Sequence, residues 1–337
     1  MLRVAINGYG RIGRVVHRQL IERFPQEACV VAVNASSDAA MRRYLLKYDT
    51  LHGRFGHSVE VEGEDLRIDG NLVRVVKEKD PAKCPWKELK VDLVVEATGK
   101  FRTKEKAQAH LVAGAKAVLI TAPPKDDTTM IVRGVNDDLL QGALPIVSAA
   151  SCTTNCIAPI VKVLDGWKGI RRGLLCTTHS YTSSQNLLDN STDSSKLRIA
   201  RAAALNIIPS TTGAAKAVGK VFPHLQGKLD GMALRIPVPD VSASYLALEL
   251  KGQATAQEVN RALAEAAEST LKGILAVEEG FLVSSDYVSD PHSSTVDLDS
   301  TMVIEGSLVQ ILAWYDNEWG YSMRVTEMAL QIGKLLR

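Results

Sequence analysis

Two side chains near the middle of the chain, Cys152 and His179, could act as a nucleophile and its base. Cys152 follows a strand predicted at 146–148 and precedes an apolar helix predicted at 157–164. A helix N-terminus stabilises a thiolate through its free N–H groups and its dipole, so we expect a nucleophilic thiol here. His179 ends another predicted strand, and an imidazole beside a thiol activates such nucleophiles. Core packing is the alternative for an isolated cysteine, and His179 favours the nucleophile.

A second cysteine, Cys156, lies one helical turn further along. A metal site formed by Cys152 and Cys156 is disfavoured because no third and fourth ligand lie nearby in the sequence. Cys156 gains less from the helix dipole, and burial is expected to raise the pKa of its thiol. The sequence therefore predicts Cys152 as the reactive cysteine and no bound metal.

A glycine-rich turn at the start of the chain could hold the phosphates of a dinucleotide. Its sequence is Gly8-Tyr9-Gly10-Arg11-Ile12-Gly13, between a strand predicted at 4–7 and a helix predicted at 11–23. Glycines at this spacing permit a tight turn, a close approach to a pyrophosphate and close helix–strand packing. The helix N-terminus then offers N–H groups to the phosphates. A purely structural turn is the alternative, and the βα units that follow favour the cofactor.

The end of the second predicted strand decides which dinucleotide is preferred. An acidic side chain there would bind the ribose 2′-OH and repel a 2′-phosphate. The chain has no carboxylate directly after Asn34: Ala35 follows, and Ser36 and Ser37 could donate hydrogen bonds to a 2′-phosphate. The sequence therefore favours NADP, with NAD as the alternative if Asp38 reaches back to the ribose.

A nicotinamide and a cysteine together indicate the oxidation of an aldehyde. Addition of Cys152 would give a thiohemiacetal, with His179 taking the hydroxyl proton as general base. Hydride transfer would then leave a thioester. The backbone N–H of Cys152 and the imidazolium of His179 are suited to stabilise the oxyanions. A second nucleophile, either water or phosphate, must release the acyl group.

The elements that position these residues predict an α/β protein of two domains. Short apolar strands alternate with helices over the first ~150 residues, which indicates an N-terminal Rossmann-type doubly wound parallel sheet. Those strands are predicted at 4–7, 30–33, 93–96, 117–121 and 146–148, with helices at 11–23 and 39–47. Longer strands then indicate an α+β catalytic domain with a largely antiparallel sheet. They are predicted at 173–181, 228–238 and 245–250, with helices at 258–271 and 322–336.

Composition excludes several classes of protein. The 40 basic residues of this 337-residue chain nearly balance the 38 acidic ones, a net charge of +2, which argues against a nucleic-acid binder. No apolar run approaches the ~20 residues that a membrane helix needs. A strand at the extreme N-terminus leaves no room for a signal peptide, and five cysteines without a staple-like spacing indicate a reducing compartment. We therefore expect a cytoplasmic protein.

Four segments resemble the phosphorylating glyceraldehyde-3-phosphate dehydrogenases. They are residues 6–14 (INGYGRIGR), 149–156 (AASCTTNC), 208–216 (IPSTTGAAK) and 314–321 (WYDNEWGY). The resemblance implies an NAD(P)-binding Rossmann domain at 1–151, a catalytic domain at 152–317 and a C-terminal helix at 318–337 that packs back on the Rossmann domain. It also implies a homotetramer. Glyceraldehyde 3-phosphate and inorganic phosphate would be the substrates and 1,3-bisphosphoglycerate the product.

The resemblance also assigns roles to individual residues. It makes Cys152 the nucleophile and His179 the base. The substrate's own phosphate would be bound by Thr182 and Arg235, with Arg198 nearby. The attacking phosphate would be bound by Ser151, Thr153, Thr212 and Gly213. Asn317 would bind the nicotinamide amide, and Thr98, Gly99 and Thr121 would contact the rest of the cofactor.

Three departures from the family pattern affect these roles. Members that use NAD carry an aspartate where this chain has Ala35, and tend to have a proline where it has Ser191, in a loop that reaches a neighbouring subunit's cofactor. Lys79 could add positive charge near a 2′-phosphate, so these positions favour NADP. The loop 183–199 is one residue longer than usual, with Ser184 in place of a common acidic residue and Ile199 in place of an arginine. We therefore expect an altered substrate-phosphate site.

Two alternatives to this function stay open. Erythrose-4-phosphate dehydrogenase is a related enzyme in which water takes the acyl group. The segment 211–216 favours the phosphorylating enzyme, whereas His179-Ser180-Tyr181 is slightly closer to the hydrolytic one. A binding or regulatory protein could also retain a dehydrogenase fold. The presence of both Cys152 and His179 argues against that class.

Overall fold

The protein folds as two units in a computed structural model that describes residues 1–337, except the side chains of Ser194 and Lys196. The first unit comprises residues 1–131, 136–150 and 322–337. The second comprises residues 132–135 and 151–321. No helix among the described residues is both long and apolar enough to cross a membrane.

The first unit is built on a largely parallel sheet. Its elements are β1 (Leu2–Asn7), α1 (Arg11–Arg23), β2 (Ala28–Asn34), α2 (Ala39–Lys47), β3 (Tyr48–Asp49), β4 (Gly53–Arg54), β5 (Val59–Glu62), β6 (Asp65–Ile68), β7 (Asn71–Val76), β8 (Leu93–Glu96), α3 (Lys104–Val112), β9 (Ala117–Ile120), α4 (Leu140–Ala143) and β10 (Ile146–Ser148). The sheet order is β10-β9-β8-β1-β2-β7-β6-β5. The predicted Rossmann-type sheet is confirmed, and its central strands are buried along most of their length.

The strand order places the glycine turn where a dinucleotide is expected. β1 pairs in parallel with β2 on one side and β8 on the other. Successive strands therefore lead away from β1 in opposite directions, and the crevice at such a switch point is the usual ligand site. The sequence missed the antiparallel extension β5–β7. β5 has only four residues, and all but Val59 are exposed, so it gives a weak signal of a buried strand.

The second unit is built on a mixed, mostly antiparallel sheet, as predicted. Its elements are α5 (Cys152–Lys168), β11 (Ile170–Ser180), β12 (Ile208–Thr211), α6 (Ala214–Val221), β13 (Leu229–Ile236), β14 (Ser242–Leu250), α7 (Ala256–Glu268), β15 (Leu275–Glu278), β16 (Ser294–Ile304) and β17 (Leu308–Tyr315). The sheet order is β12-β13-β11-β14-β17-β16-β15. β11 pairs in parallel with β13 and β15 pairs in parallel with β16. α5, α6 and α7 pack on this sheet.

The last helix, α8 (Trp319–Leu335), begins three residues before its predicted start at Ser322. From Ser322 onward it belongs to the first unit. There the Thr326 hydroxyl donates to Gln19 Oε1 at 3.1 Å. Gly333 packs on Leu2, because a Cβ added to this glycine would meet the Leu2 side chain at 3.0 Å. Helix α8 therefore packs on α1 and β1.

Candidate active site

The glycine turn of the first unit has the shape that a pyrophosphate requires. Gly8 has φ +97°, and a Cβ there would lie 2.7 Å from the backbone nitrogen of Thr98. A Cβ on Gly13 would lie 2.2 Å from the Gly8 carbonyl oxygen, so α1 packs tightly against the turn. Gly10 has open space at its Cβ, and among the described side chains none caps α1. The N-terminal amides of α1 are therefore suited to bind phosphate oxygens, and the turn fits a dinucleotide.

A cavity of about 770 Å³ lies beside this turn. Among the predicted cofactor residues it is lined by Gly8, Gly10, Asn34, Ala35, Ser36, Ser37, Lys79 and Thr98. Sequence reasoning missed Lys77, Glu78 and Lys100, which also line it and for which no motif provides a signal. Together with Lys79, the other two lysines leave the cavity with more positive than negative charge.

The other predicted cofactor residues of the first unit lie outside this lining. Arg11 and Ile12 open α1, and the Arg11 guanidinium is paired with the Asp49 carboxylate. Gly99 adopts φ +70°. The Thr121 hydroxyl donates to the Glu96 carbonyl oxygen at 3.0 Å.

Two residues that follow β2, Ala35 and Asp38, bear on the predicted cofactor preference. Ala35 brings no carboxylate to the lining. Asp38 instead caps α2, where its Oδ1 accepts from the Met41 N–H at 2.7 Å. Asp38 does not line the cavity. The capping contact therefore disfavours the alternative in which Asp38 binds the ribose.

A buried network of hydrogen-bonded side chains joins the ends of β1, β2 and β8 next to the glycine turn. Asn34 Nδ2 donates to Asn7 Oδ1 at 2.7 Å, and Asn7 Nδ2 donates to Glu96 Oε2 at 2.5 Å. His110 Nε2 lies 3.1 Å from the same Glu96 oxygen. The Asn34 amide also accepts from Glu78 N–H at 3.0 Å and donates to the Glu78 carbonyl at 2.8 Å. Asn34 thus holds the segment that carries Lys77 and Lys79.

In the second unit, Cys152 and His179 are in direct contact. Cys152 is the first residue of α5, and Ser151 caps the helix by accepting from Thr154 N–H at 3.1 Å. His179 is the penultimate residue of β11. The distance from Cys152 Sγ to His179 Nε2 is 3.4 Å. Because α5 begins at Cys152, five residues before the predicted start, the candidate nucleophile lies at the helix N-terminus.

The N-terminus of α5 favours the Cys152 thiolate, as expected, but it does not determine the direction in which the pKa of the thiol shifts. Burial raises the pKa of this thiol, and the Arg235 charge and hydrogen bonds with Thr153 only partly oppose that effect. Desolvation of the thiolate outweighs the contribution of the helix N-terminus. The prediction for Cys156 is confirmed, since burial raises its pKa to about 12.

His179 is a base with an unusually low affinity for a proton. Burial, followed by the Arg235 charge, lowers the pKa of His179 to about 3. His179 Nδ1 lies 2.8 Å from the Ser180 carbonyl oxygen and 2.7 Å from Arg235 Nη1, which itself donates to the same carbonyl at 3.1 Å. A neutral ring makes one of these Nδ1 contacts as a hydrogen bond. Donation to Ser180 leaves Nε2 free to accept a proton from sulfur, whereas acceptance from Arg235 puts the proton on Nε2.

Tyr315 is a site residue that sequence reasoning missed. Its hydroxyl is hydrogen-bonded to Thr153 Oγ1 at 2.9 Å and to Thr177 Oγ1 at 2.8 Å. Its ring packs edge-on against the His179 ring, with centroids 6.0 Å apart. Only its position two residues before Asn317 could have drawn attention to it. The hydroxyl of Thr153, a predicted phosphate ligand, is therefore already engaged in a buried contact.

The remaining predicted phosphate ligands lie on separate segments. Thr212 Oγ1 accepts from Ala214 N–H at 3.2 Å, directly before α6, and Gly213 has open space at its Cβ. Thr182 Oγ1 lies 2.9 Å from Ser184 Oγ. Arg198 lines a different cavity, of about 510 Å³, which also includes Thr211.

Within the described side chains, no hydrogen bond joins these four predicted ligands to the catalytic pair or to Arg235. Among the described residues, Arg235 is therefore the one predicted phosphate ligand in contact with His179. Ser191 is exposed, and its N–H donates to Asn190 Oδ1 at 2.8 Å.

Asn317, the predicted nicotinamide ligand, is buried at the end of β17. Its Oδ1 accepts from Ser180 Oγ at 2.8 Å and from Ser242 Oγ at 2.7 Å. Neither serine was predicted as part of the site. The sequence does not predict their contact because β11, which carries Ser180, and β14, which carries Ser242, are brought together by the register of antiparallel strand pairing.

Comparisons with known proteins cover the whole chain. The family model "Glyceraldehyde 3-phosphate dehydrogenase, NAD binding domain" matches residues 2–104, and "Glyceraldehyde 3-phosphate dehydrogenase, C-terminal domain" matches residues 151–317. Glyceraldehyde-3-phosphate dehydrogenase of Geobacillus stearothermophilus is 51% identical over 332 residues, which are 98% of each chain. Glyceraldehyde-3-phosphate dehydrogenase 1 of Bacillus subtilis is 50% identical over 334 residues, 99% of this chain and 98% of the relative. The contact between Cys152 and His179 thus occurs in a chain that belongs to the glyceraldehyde 3-phosphate dehydrogenase family.

Proposed function

We propose that this chain is a phosphorylating glyceraldehyde-3-phosphate dehydrogenase that uses NAD(P). It would convert glyceraldehyde 3-phosphate, inorganic phosphate and NAD(P)⁺ to 1,3-bisphosphoglycerate and NAD(P)H. The observation that carries this proposal is the 3.4 Å contact between Cys152 Sγ and His179 Nε2 at the start of α5. The choice of substrate rests on relatives that are about half identical to this chain over its full length and are named for this activity.

The first half of the reaction depends on proton exchange between Cys152 and His179. The sulfur attacks the aldehyde carbon while its proton passes to His179 Nε2, and the imidazolium then protonates the new oxyanion to give the thiohemiacetal. Nicotinamide, when bound, supplies the hydride acceptor. His179 removes the hydroxyl proton as the carbonyl re-forms and the C–H hydride departs, which leaves a thioester on Cys152. The low pKa of His179, about 3, favours return of the proton at the end of the cycle.

In the second half, a phosphate oxygen attacks the thioester carbon. The C–S bond breaks, and the Cys152 sulfur recovers a proton from His179. Thr212 and Gly213, at the start of α6, are suited to bind the attacking phosphate, together with Ser151 and Thr153. Arg235 and Thr182 would bind the substrate's own phosphate, with Arg198 near that site, since a forked guanidinium suits phosphate oxygens.

We propose NADP as the preferred cofactor. Ala35 leaves the position directly after β2 without a carboxylate that would repel a 2′-phosphate, and Ser36 and Ser37 line the cavity. Lys77 and Lys79 bring positive charge to the same cavity, and the capping role of Asp38 supports the same preference. The test is the ratio of kcat/KM for NADP to that for NAD, and a ratio below one would contradict the preference.

We also propose the assembly and the division of the chain that the family resemblance implies. The domains would be 1–151, 152–317 and 318–337, and the active form a cytoplasmic homotetramer. Apolar side chains on the open face of the second sheet support the assembly: Leu174, Met232, Tyr245 and Leu308 are all exposed in the single chain. In such a tetramer Ser191 would approach a neighbouring subunit's cofactor. The mass in solution, measured by light scattering, tests this.

The hydrolytic alternative, erythrose-4-phosphate dehydrogenase, predicts a different dependence on phosphate. Steady-state formation of NAD(P)H from glyceraldehyde 3-phosphate should require added phosphate. Sustained turnover without phosphate, or a higher kcat/KM for erythrose 4-phosphate, would favour the alternative. Lack of turnover with either aldehyde would favour a non-enzymatic member of the family.

A further inference from the structure

Three buried polar side chains of the second unit form a closed hydrogen-bonded group. Ser180, Ser242 and Asn317 are 0%, 1% and 6% exposed. Both hydroxyls donate to Asn317 Oδ1, from Ser180 at 2.8 Å and from Ser242 at 2.7 Å. Ser242 Oγ in turn accepts from the Ser180 backbone N–H at 3.1 Å.

These contacts determine which way round the Asn317 amide lies. In the observed orientation each hydroxyl hydrogen has an acceptor, and the amide oxygen uses both of its lone pairs. Rotating the amide by a half-turn would place Nδ2 against the hydroxyls and leave both hydroxyl hydrogens without an acceptor in a buried site, which is costly. Among the described side chains, none accepts a hydrogen bond from Asn317 Nδ2. The amide nitrogen is thus available to a ligand.

We propose that Ser180 and Ser242 are positioning residues that hold the Asn317 amide with Nδ2 directed at the carboxamide oxygen of the bound nicotinamide. This inference rests on the proposed function, since it needs Asn317 to bind the cofactor. The two serines touch neither substrate nor cofactor in this arrangement. They act by restricting Asn317 to the amide orientation in which Nδ2 can donate to the nicotinamide. The conformational entropy of the Asn317 side chain is then lost on folding rather than on cofactor binding.

Ser180 also connects this group to the base. Its carbonyl oxygen lies 2.8 Å from His179 Nδ1, while its hydroxyl donates to Asn317. One residue of β11 therefore aligns both the imidazole that moves the proton and the amide that binds the nicotinamide. Ser180→Ala removes only the second contact, because the carbonyl belongs to the backbone.

The test compares binding of the whole cofactor with binding of its ADP-ribose part, which lacks the nicotinamide. If NADP is preferred, the two ligands are NADP and 2′-phospho-ADP-ribose. Calorimetry on the full-length protein gives the dissociation constants for wild type, Ser180→Ala, Ser242→Ala and the double variant. Each single variant should weaken whole-cofactor binding about five-fold, and the double variant about tenfold or more, from the lost hydrogen bonds. ADP-ribose binding and the rate of Cys152 alkylation should stay within two-fold. Ser294→Ala is the matched control, because Ser294 is equally buried in the same sheet but contacts Cys156.

Asn317→Asp separates a failure of this inference from a failure of the proposed function. The carboxylate still accepts from both hydroxyls but has no N–H to offer, so whole-cofactor binding should weaken. Combining Asn317→Asp with Ser180→Ala and Ser242→Ala should weaken the affinity for the whole cofactor no further.

If Asn317→Asp weakens whole-cofactor binding while the serine variants do not, the positioning role is wrong and the role of Asn317 stands. If neither change affects it, Asn317 does not bind nicotinamide, and both ideas fail. Equal losses for ADP-ribose and the whole cofactor would show a general structural effect and overturn the inference.

Discussion

The Arg235 guanidinium lies 2.7 Å from Nδ1 of His179, on the side of the ring opposite the sulfur of Cys152. Its charge lowers the pKa of both members of the catalytic pair. For the thiol this opposes the effect of burial, and for the imidazole it adds to it. We therefore propose two roles for Arg235, as a ligand of the substrate's phosphate and as a charge that partly offsets the effect of burial on the pKa of Cys152.

Replacing that charge should shift the ionisation of the nucleophile. In Arg235→Gln the pKa of Cys152 should rise, so that less thiolate is present at pH 7 and iodoacetamide alkylation is slower. The pKa of His179 should also rise, which moves the acidic limb of the kcat profile to higher pH. KM for glyceraldehyde 3-phosphate should increase by about 10- to 100-fold from the lost charge-assisted hydrogen bonds. The measurements are alkylation rate and kcat against pH.

Arg235→Lys is the matched control, because it keeps the charge but not the fork. It should preserve much of the alkylation profile and still raise KM. An unchanged alkylation profile in Arg235→Gln would show that the charge does not act on the thiol.

Substitutions in the proposed catalytic pair should lower kcat much more than a substitution of a neighbouring residue in the same helix. Cys152→Ser should lower kcat by about three orders of magnitude or more, and His179→Asn by about 10²–10⁴-fold. Cys156→Ser should retain most activity, because Cys156 is buried and its thiol is hydrogen-bonded to Ser294, whereas Cys152 is the cysteine in contact with His179. Cofactor affinity, measured in parallel, should hardly change in any of the three. Full activity in Cys152→Ser would exclude a mechanism that depends on a thioester at this residue.

The cofactor preference should respond to a single carboxylate. Ala35→Asp places a negative charge in the cavity and should lower the NADP/NAD ratio of kcat/KM by about 10- to 100-fold through repulsion of the 2′-phosphate. Lys79→Ala should reduce kcat/KM for NADP and leave that for NAD nearly unchanged. Equal effects of Ala35→Asp on both cofactors would place the ribose elsewhere.

Tyr315 should contribute to stability through its hydroxyl. Tyr315→Phe leaves the buried hydroxyls of Thr153 and Thr177 without this partner and should lower the free energy of unfolding by about 1–3 kcal/mol. Tyr245→Phe removes a hydroxyl that contacts Gln310 on the exposed face of the same sheet and should cost less. Urea unfolding of both variants checks this, and an equal cost would remove the special role of the buried contact.

Local motifs explain what could be predicted from the sequence. The turn at Gly8 and the candidate nucleophile Cys152 each lie within a few residues that also predict the start of a helix. The same short segment therefore predicts both the kind of site and its position in the fold. His179 could be placed at the end of β11 because the apolar and β-branched residues from Leu174 to Thr178 predict a strand.

The missed features depend on contacts between residues far apart in the chain. Tyr315 reaches Thr153, and Ser242 reaches Asn317, only through the register of the second sheet. The raised pKa of Cys152 has the same origin, because burial by distant strands outweighed the helix N-terminus that the sequence displayed.

The most direct test of the account is to trap the acyl group on Cys152. The enzyme is mixed rapidly with glyceraldehyde 3-phosphate and oxidised cofactor in the absence of phosphate, quenched in acid, digested and analysed by mass spectrometry. We predict a burst of one reduced cofactor per active site and a 3-phosphoglyceroyl thioester on the peptide that contains Cys152. Added phosphate should remove this acyl group from the cysteine. Reduced cofactor without an acyl group on Cys152, or an acyl group on another residue, would contradict the account.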